Sequence, residues 1–557
     1  MKMHIIAAAM GAALCTPAHA SSYDNFSLSL ELVGQYQTGV FDEGAAEIVA
    51  HDANNQRVFV INAAAATVDV LDINDPENPI KMGAIDVSKL GAGVNSVAVY
   101  ENLVAVAIES DPKQHPGKVA FYSAADLGYI SDVTVGALPD MVTFTPNGHY
   151  ALVANEGEPN DEYTIDPEGS VSIIDLRHGV ANAAVRTASF ERYDGKEHRL
   201  RARGVRIFGP NASASQDFEP EYITVSDDSR HAWVVLQENN AIAKIDIRRA
   251  RVVGLRALGT KNHSLPGNEF DASDKDDMIN ITNWPVQGFY MPDAISSYRF
   301  HDETYIVTAN EGDSRDYAGF SEEARVEDLL LDPGAFPHAA ELQLEENLGR
   351  LKTTTVNGDT DGDGDFDTIY SYGARSFSIW TAKGKRVYDS GADFEKITAM
   401  LLPDEFNSTN DENNSFDNRS DDKGPEPEGI TLGRIGKRTI AFVGLERIGG
   451  IMAYDITNPY KVRFLDYVNN RNFAVDAQLP DETTNPEVGD LGPEGLAFIA
   501  ASDSPNGEPL LVVGNEVSGT TSIFEIDIEA THKRGRHHKY GHKHHRKHYH
   551  GHGHHHD

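Results

Sequence analysis

Five aspartates stand at every second position of "NGDTDGDGDFDTIY", residues 357–370: Asp359, Asp361, Asp363, Asp365 and Asp367. Like charges this dense repel unless a cation sits among them, and the hard, oxygen-loving Ca²⁺ is suited to that role. The spacing D-x-D-x-D-G-x-x-D fits Asp359, Asp361, Asp363, Gly364 and Asp367, with Gly364 making the turn that wraps the chain round the ion. An EF-hand requires a bidentate Glu at the twelfth loop position, where this chain has Tyr370. The residues after the loop, "TIYSYGARSFSIW", read as strand. The pattern therefore predicts a calcium loop on a β-scaffold, against the alternative of a solvated acidic loop without metal.

A second set of acids is spread through the chain. Glu47, Asp140, Glu221, Asp293, Glu428 and Glu494 each open a short strand, and Asn95 holds the equivalent place in a further segment. Glu109, Glu156, Glu238, Glu311, Glu446 and Glu516 each close the next strand, several beside an asparagine. One such acid is an ordinary turn cap. Converging on one point, they would repel strongly and call for a metal. The expected channel-mouth site is Glu156, Glu221, Asp293, Glu311, Glu428, Glu446, Glu494 and Glu516, holding a second divalent or trivalent metal. Arg315, Arg375 and Arg447 fall near the same points; they either neutralise carboxylates or grip a phosphorylated or other anionic ligand. The sequence has no G-x-S-x-G, P-loop, H-E-x-x-H or catalytic cysteine.

These acids meet only if the elements carrying them close on themselves. Seven segments share one plan: a Pro-acid start, a short strand, a polar turn, a strand ending in Asn or Glu, and a third ending in "IDI" or similar. Examples are "EPEYITVSDDSRHAWVVLQENNAIAKIDI" and "EPEGITLGRIGKRTIAFVGLERIGGIMAYDI". A fourth strand often follows. Short antiparallel strands repeating about every 45 residues describe propeller blades. The expected fold is all-β, a seven-bladed β-propeller over 21–530, with helical and loop insertions and a disordered C-terminal tail. A β-sandwich would not repeat one plan seven times. The alternating "FSLSLELVGQYQTG" at the start is expected to complete the last blade and close the ring.

Insertions interrupt the plan at 178–216, 248–290 and 312–373, and read as decoration on one face. The last carries helix-like "SEEARVEDLLL" and "HAAELQLEENLGRLK" ahead of the aspartate loop. The stretch within 392–424 ending "NSTNDENNSFDNRSDDKG" is polar enough to be flexible.

Residues 1–20 read as a signal peptide with an A-x-A cleavage site, so Sec-type export to the periplasm or the exterior is expected. The one cysteine, Cys15, lies inside that leader, so no disulfide is expected in the mature chain. A formal charge of −38 opposes a nucleic-acid partner and docking on anionic lipid. No stretch after the leader is long enough for a membrane span. In the tail, 531–557, histidines are interleaved with Lys, Arg, Tyr and Gly. Zn²⁺, Ni²⁺ or Cu²⁺ capture through His537, His538, His544, His545, His554, His555 and His556 is one reading, and a solubilising tail is the other.

The motifs "LPDMVTFTPNGHYALVANEGEPND", "MPDAISSY…TANEGDSRDY", "YGARSFSIW", "EPEGITLG" and "GPEGLAFI" resemble the choice-of-anchor I family. That family includes alkaline-phosphatase-like bacterial proteins and mesenchyme-specific cell-surface glycoproteins. The resemblance covers nearly all of 28–528 and implies a secreted propeller, with phosphoester or mineral-related roles. Two functions remain open at this level: a calcium-binding surface or matrix protein for cations or anionic ligands, and a metal-dependent phosphoesterase.

Overall fold

The computed structural model describes residues 25–531. The leader at 1–20 and the tail histidines lie outside the described residues. The chain divides into a main unit, Ser29–Asp527, and a small unit at the two ends, whose described part is the start of the first strand and the end of the last.

Among the described residues, seven antiparallel sheets have four strands each. Their first strands are Val49–Asp52, Gly93–Tyr100, Pro139–Phe144, Pro220–Val225, Ile295–Phe300, Pro427–Ile435 and Pro493–Ile499. Each first strand touches the first strand of the next sheet, and Pro493–Ile499 touches Val49–Asp52, so the series closes. This is a β-propeller. In the seventh sheet the order is Pro493–Ile499, Leu510–Asn515, Thr520–Thr531 and then the N-terminal strand Asn25–Gln37. The opening strand thus completes the sheet of the closing ones, as its alternation predicts.

Apolar residues fill the spaces between neighbouring sheets. Leu152, Ile173, Val234 and Ile245 belong to one such cluster between the third and fourth sheets, and Val307, Phe377, Val443 and Tyr454 to another between the fifth and sixth. The second and third strands are buried almost throughout, for example Tyr150–Asn155. Outermost strands such as Ile80–Asp86 are largely exposed. This burial gradient follows from stacking each sheet on two neighbours, which leaves only the rim wet.

Three features depart from the sequence reading. The insertions at 248–290 and 312–373 share a core of their own, built from Phe270, Trp284, Val326, Leu348 and Ile369. A three-stranded sheet of Thr260–Asn262, Val286–Phe289 and Ile369–Ser371 ties them together. The helix-like "SEEARVEDLLL" contains the strand Glu323–Arg325, paired with Lys352–Thr354, followed by one 3₁₀ turn. Of "HAAELQLEENLGRLK", only Ala339–Leu342 is α-helix. The first stretch gives up helix propensity for backbone pairing to a partner remote in sequence, whereas the second also holds a π-type turn at Glu345–Gly349. The polar segment ending at Gly424 is packed, with Asn407, Ser408, Ser420 and Lys423 all buried. Its backbone carbonyls are acceptors for arginines: Arg375 donates to Ser420 and Asp422, and Arg471 to Thr409 and Glu412.

Candidate functional site

In five of the seven sheets the opening acid or asparagine sits in a distortion of its strand; the strands after Glu47 and Asp293 pair without one. In the third sheet Pro139 pairs with Asn155 and Val142 with Val153, so two residues on the first strand lie opposite only one on the second. The same shift occurs at Pro220/Ile223, Pro427/Ile430, Pro493/Leu496 and Val94/Ser96. Asn95, Asp140, Glu221, Glu428 and Glu494 sit inside these bulges. A bulge bends the strand and re-aims a side chain, here out of the sheet plane toward the axis. The second acid follows directly on the pairing. The backbone N–H of Glu156 donates to Leu138, that of Glu446 to Glu426 and that of Glu516 to Gly492. Both acids of a hairpin therefore lie at the same end.

The repeats' acids then act on each other across the ring. Glu221 feels Glu238, Asp293, Glu156 and Asp140. Glu494 feels Glu47, Glu516, Asp293 and Asp140. Glu428 feels Glu446, Glu311, Glu494 and Glu516. The eight acids expected at one mouth are thus one electrostatic group. Carboxylate oxygens of Glu47, Glu494 and Glu516 lie within 4.8 Å of one another, and so do those of Glu311, Glu426 and Glu446.

Burial, then neighbouring negative charge, pushes Glu47 up to about 8 and Asp140 up to about 7. Glu156, Glu221, Asp293, Glu428 and Glu494 are all raised well above the usual carboxylate range for the same two reasons. Glu238 and Glu516 rise to about 7, burial being the largest cause in each and Arg315 or Arg447 working against it. Most of these side chains keep a little accessible surface although protein encloses them. One oxygen each of Glu221, Glu238 and Glu428 is buried with no hydrogen-bond partner. Glu221 and Glu238 are each only 6% exposed.

The ring is not uniform. A cavity of about 550 Å³ opens between the fifth, sixth and seventh sheets, lined in part by Glu311, Glu428, Glu446, Glu516, Arg447 and Lys423. Lys423 lies 2.9 Å from Glu311 and 3.2 Å from Glu426. Arg419 and Arg447 also bond Glu426, at 2.6 and 2.9 Å. Burial would raise Glu426, but Lys423, Arg419 and Arg447 outweigh it and hold this acid below the usual range. The trio Glu311, Glu426 and Glu446 thus has cations built in. Among the described residues, no ion pair reaches Glu47, Glu494 or Glu516.

The three arginines singled out by sequence occupy different places. Arg447 lines the cavity, 3.0 Å from Glu446. Arg315 is 1% exposed. It is bonded to Asp217 at 2.9 Å and Glu219 at 3.0 Å, with its guanidinium over the Phe208 ring. Arg375 is spent on Glu395 and on the carbonyls of Asp271, Ser420 and Asp422. These two act as internal counter-charges, not as open anion grips. Sequence reasoning missed Glu426, two residues before the expected Glu428, and also Lys423 and Arg419, which belong to the segment read as flexible. Its signal was the density of Asn, Ser and Asp, which here serve as packed hydrogen-bonding groups.

In the aspartate loop, oxygens of Asp359, Asp361 and Asp367 converge within 4.8 Å. Asp363 and Asp365 are not in that trio; the Asp363 carboxylate accepts from the backbone of Asp365. Backbone N–H groups of Gly362 and Gly364 donate to Asp359 at 2.7 and 3.1 Å. Both glycines take left-handed φ values, +84° and +101°, which favour glycine. Repulsion from Asp363 raises Asp361, whereas Thr360 hydrogen bonds lower Asp367. Burial and then Asp363 push Asp365 up to about 6.

A profile of the choice-of-anchor I domain matches residues 47–459. The chain belongs to the choice-of-anchor I family. It is 33% identical over 190 residues to Gigasin-3a of Magallana gigas, covering 33% of this chain and 66% of that one. It is 29% identical over 361 residues to the mesenchyme-specific cell surface glycoprotein of Strongylocentrotus purpuratus, covering 57% of this chain and 44% of that one. The chain thus spans less than two thirds of either relative. Among solved structures, the WD40 domain of Toxoplasma gondii coronin aligns over 92% of this chain and 88% of its own, at 10% identity and a TM-score of 0.44. The fold assignment rests instead on the sheet order and closed contacts above. No helix among the described residues is long and apolar enough to cross a membrane.

Proposed function

We propose that the protein is an exported seven-bladed propeller acting at the cell surface or in a matrix, where it binds divalent cations at two places. The observation that carries this reading is the convergence of Glu47, Glu494 and Glu516 carboxylate oxygens within 4.8 Å of one another, in a ring of raised acids where, among the described residues, no ion pair reaches these three. A buried carboxylate without a partner is costly, and a cation in the channel would supply that partner. Glu47, Glu494 and Glu516 are the favoured ligands, because Glu311, Glu426 and Glu446 already have Lys423, Arg419 and Arg447. Asp359, Asp361 and Asp367 would hold Ca²⁺ through exposed oxygens, the chemistry hard cations prefer. The Strongylocentrotus purpuratus relative, a cell surface glycoprotein by name, supports the surface location.

Calorimetric titration of metal-stripped protein tests this. Ca²⁺ or Mn²⁺ should fill two classes of site. Glu47→Gln with Glu494→Gln should remove one class, and Asp359→Ala with Asp361→Ala the other. A single class lost in the loop variant alone would overturn the channel site. A second reading, metal-dependent phosphoester hydrolysis, is favoured by one observation: Lys423 and Arg447 share the cavity wall with carboxylates. Under it, Arg447→Ala should lower turnover of a phosphomonoester or diester by about 100-fold or more. Absence of turnover with Ca²⁺, Zn²⁺, Mn²⁺ and Fe³⁺ would leave the binding role.

A further inference from the structure

The chain is strongly acidic, yet one seam of its surface is basic. Residues 186–206 have seven Lys or Arg against three acids, and residues 244–256 have five against one. These stretches belong to different sheets, and folding places them side by side. The outer strands Ala184–Ser189 and Arg251–Ala257 touch. Arg186 donates to the Arg248 carbonyl and Arg192 to that of Val252, both at 2.7 Å. Arg256 lies close enough to Tyr193 to lower its hydroxyl's pKa, although burial leaves that pKa raised. A side chain at Gly204 would meet Ala257 at 3.5 Å. Arg186, Arg192, Arg251, Arg256 and Arg201 therefore follow one seam, and a seven-residue strand such as Arg251–Ala257 extends about 20 Å. Arg192, Arg201, Arg251 and Arg256 are exposed, and among the described residues none has a carboxylate within 4.0 Å. A cleft of about 470 Å³ lies along the seam beside Arg192 and Arg251. Beyond it, Arg201 borders a second cavity of about 320 Å³ that includes Phe208, Phe289 and Tyr370. The Phe289 and Tyr370 rings are stacked, 4.6 Å apart.

We propose that this seam binds a linear anionic polysaccharide, its carboxylate or sulfate groups on the arginines and a sugar ring against the aromatic cavity at the Arg201 end. Exposed arginines without a carboxylate partner, in a chain of formal charge −38, confine attraction for a polyanion to this seam. Phe289 is 5% exposed, beneath Tyr370 and Arg206, so the half-buried Tyr370 ring is the apolar face left to a sugar ring, which fits it better than a bare anion would. The test uses the full chain with chelator present, so that calcium cannot bridge polymer to the aspartate loop. The probes are polygalacturonate, dextran sulfate, neutral dextran and single-stranded DNA. Polygalacturonate or dextran sulfate should bind, neutral dextran should not, and the two acidic arms identify the anionic group. Arg251→Ala with Arg256→Ala should weaken binding roughly tenfold without changing the melting temperature. Arg201→Ala should also weaken it, and Arg434→Ala, on the sixth sheet, should not. DNA binding as tight as either polysaccharide would overturn the proposal in favour of nucleic acid. Absence of binding at low salt, or unchanged binding in the double variant, would also overturn it.

Discussion

The aspartate loop and the channel mouth each bring three carboxylates within 4.8 Å, but by opposite routes and into opposite surroundings. The loop's acids lie within nine residues of one another and face water. Its Asp359 and Asp367 are held by Gly362, Gly364 and Thr360. The channel's acids come from positions 47 to 516 and are enclosed, and burial is the largest perturbation of Glu47, Glu156, Glu221, Asp293, Glu428 and Glu494. Water screens the loop's repulsion, while the channel must answer its own with protons, internal cations or a metal. Both parts of the site are acidic: in the loop repulsion raises Asp361 and adds to the rise of Asp365, whereas enclosure raises most of the channel ring.

The sharpest way to break this contrast is to remove one enclosed cation. Arg315→Ala leaves Asp217 and Glu219 buried and unpaired and should cost about 3–5 kcal/mol in urea unfolding. Asp363→Asn in the exposed loop should change stability by no more than about 0.5 kcal/mol. Similar values for the two would mean that the interior is far wetter than its geometry implies. Next in size is calcium. With the ion at 100 to 1,000 times its dissociation constant, the loop should gain about 2.7–4.1 kcal/mol. Chelation should therefore lower the melting temperature, and Asp359→Ala with Asp361→Ala should remove the loop's share of that drop.

The smallest expected effect concerns protons. Unfolded Glu47 titrates near 4.5 and the folded group at about 8. Between those values the folded state holds the extra proton, so metal-free stability should fall as pH rises from about 4.5 to 8. Asp140, Glu238 and Glu516, each raised to about 7, act in the same direction. Glu47→Gln should raise the metal-free melting temperature at pH 8 by a few degrees and do little at pH 5. A metal-free protein equally stable at both pH values would show that the channel acids are not under this stress.

Much of this was legible from residues alone. Repeats such as "EPEYITVS" and "EPEGITLG" announce both the strands and the acid that opens them, because strand alternation and Pro-acid starts are local patterns. The bulges that aim those acids were not legible, since a bulge is a mismatch between two strands and neither shows it alone. The segment ending at Gly424 misled for a related reason. Polar composition reports a lack of apolar surface, but Arg375 and Arg471 bind its carbonyls and hold it in place. Propensity makes "SEEARVEDLLL" helix-like, and pairing of Glu323–Arg325 with Lys352–Thr354 decides otherwise.

By itself the sequence determined the all-β plan, the closing role of the N-terminal strand and the alternating aspartates of the loop. Each depends on neighbours within a few residues, where spacing and side-chain type suffice. Only the tertiary structure decided which acids meet, that Lys423, Arg419 and Arg447 neutralise one side of the mouth, and that Arg315 and Arg375 are internal counter-charges. It also decided that two arginine-rich stretches form one seam. Charge interactions depend on distance and enclosure through space, and the order of residues along the chain does not encode these until the ring closes.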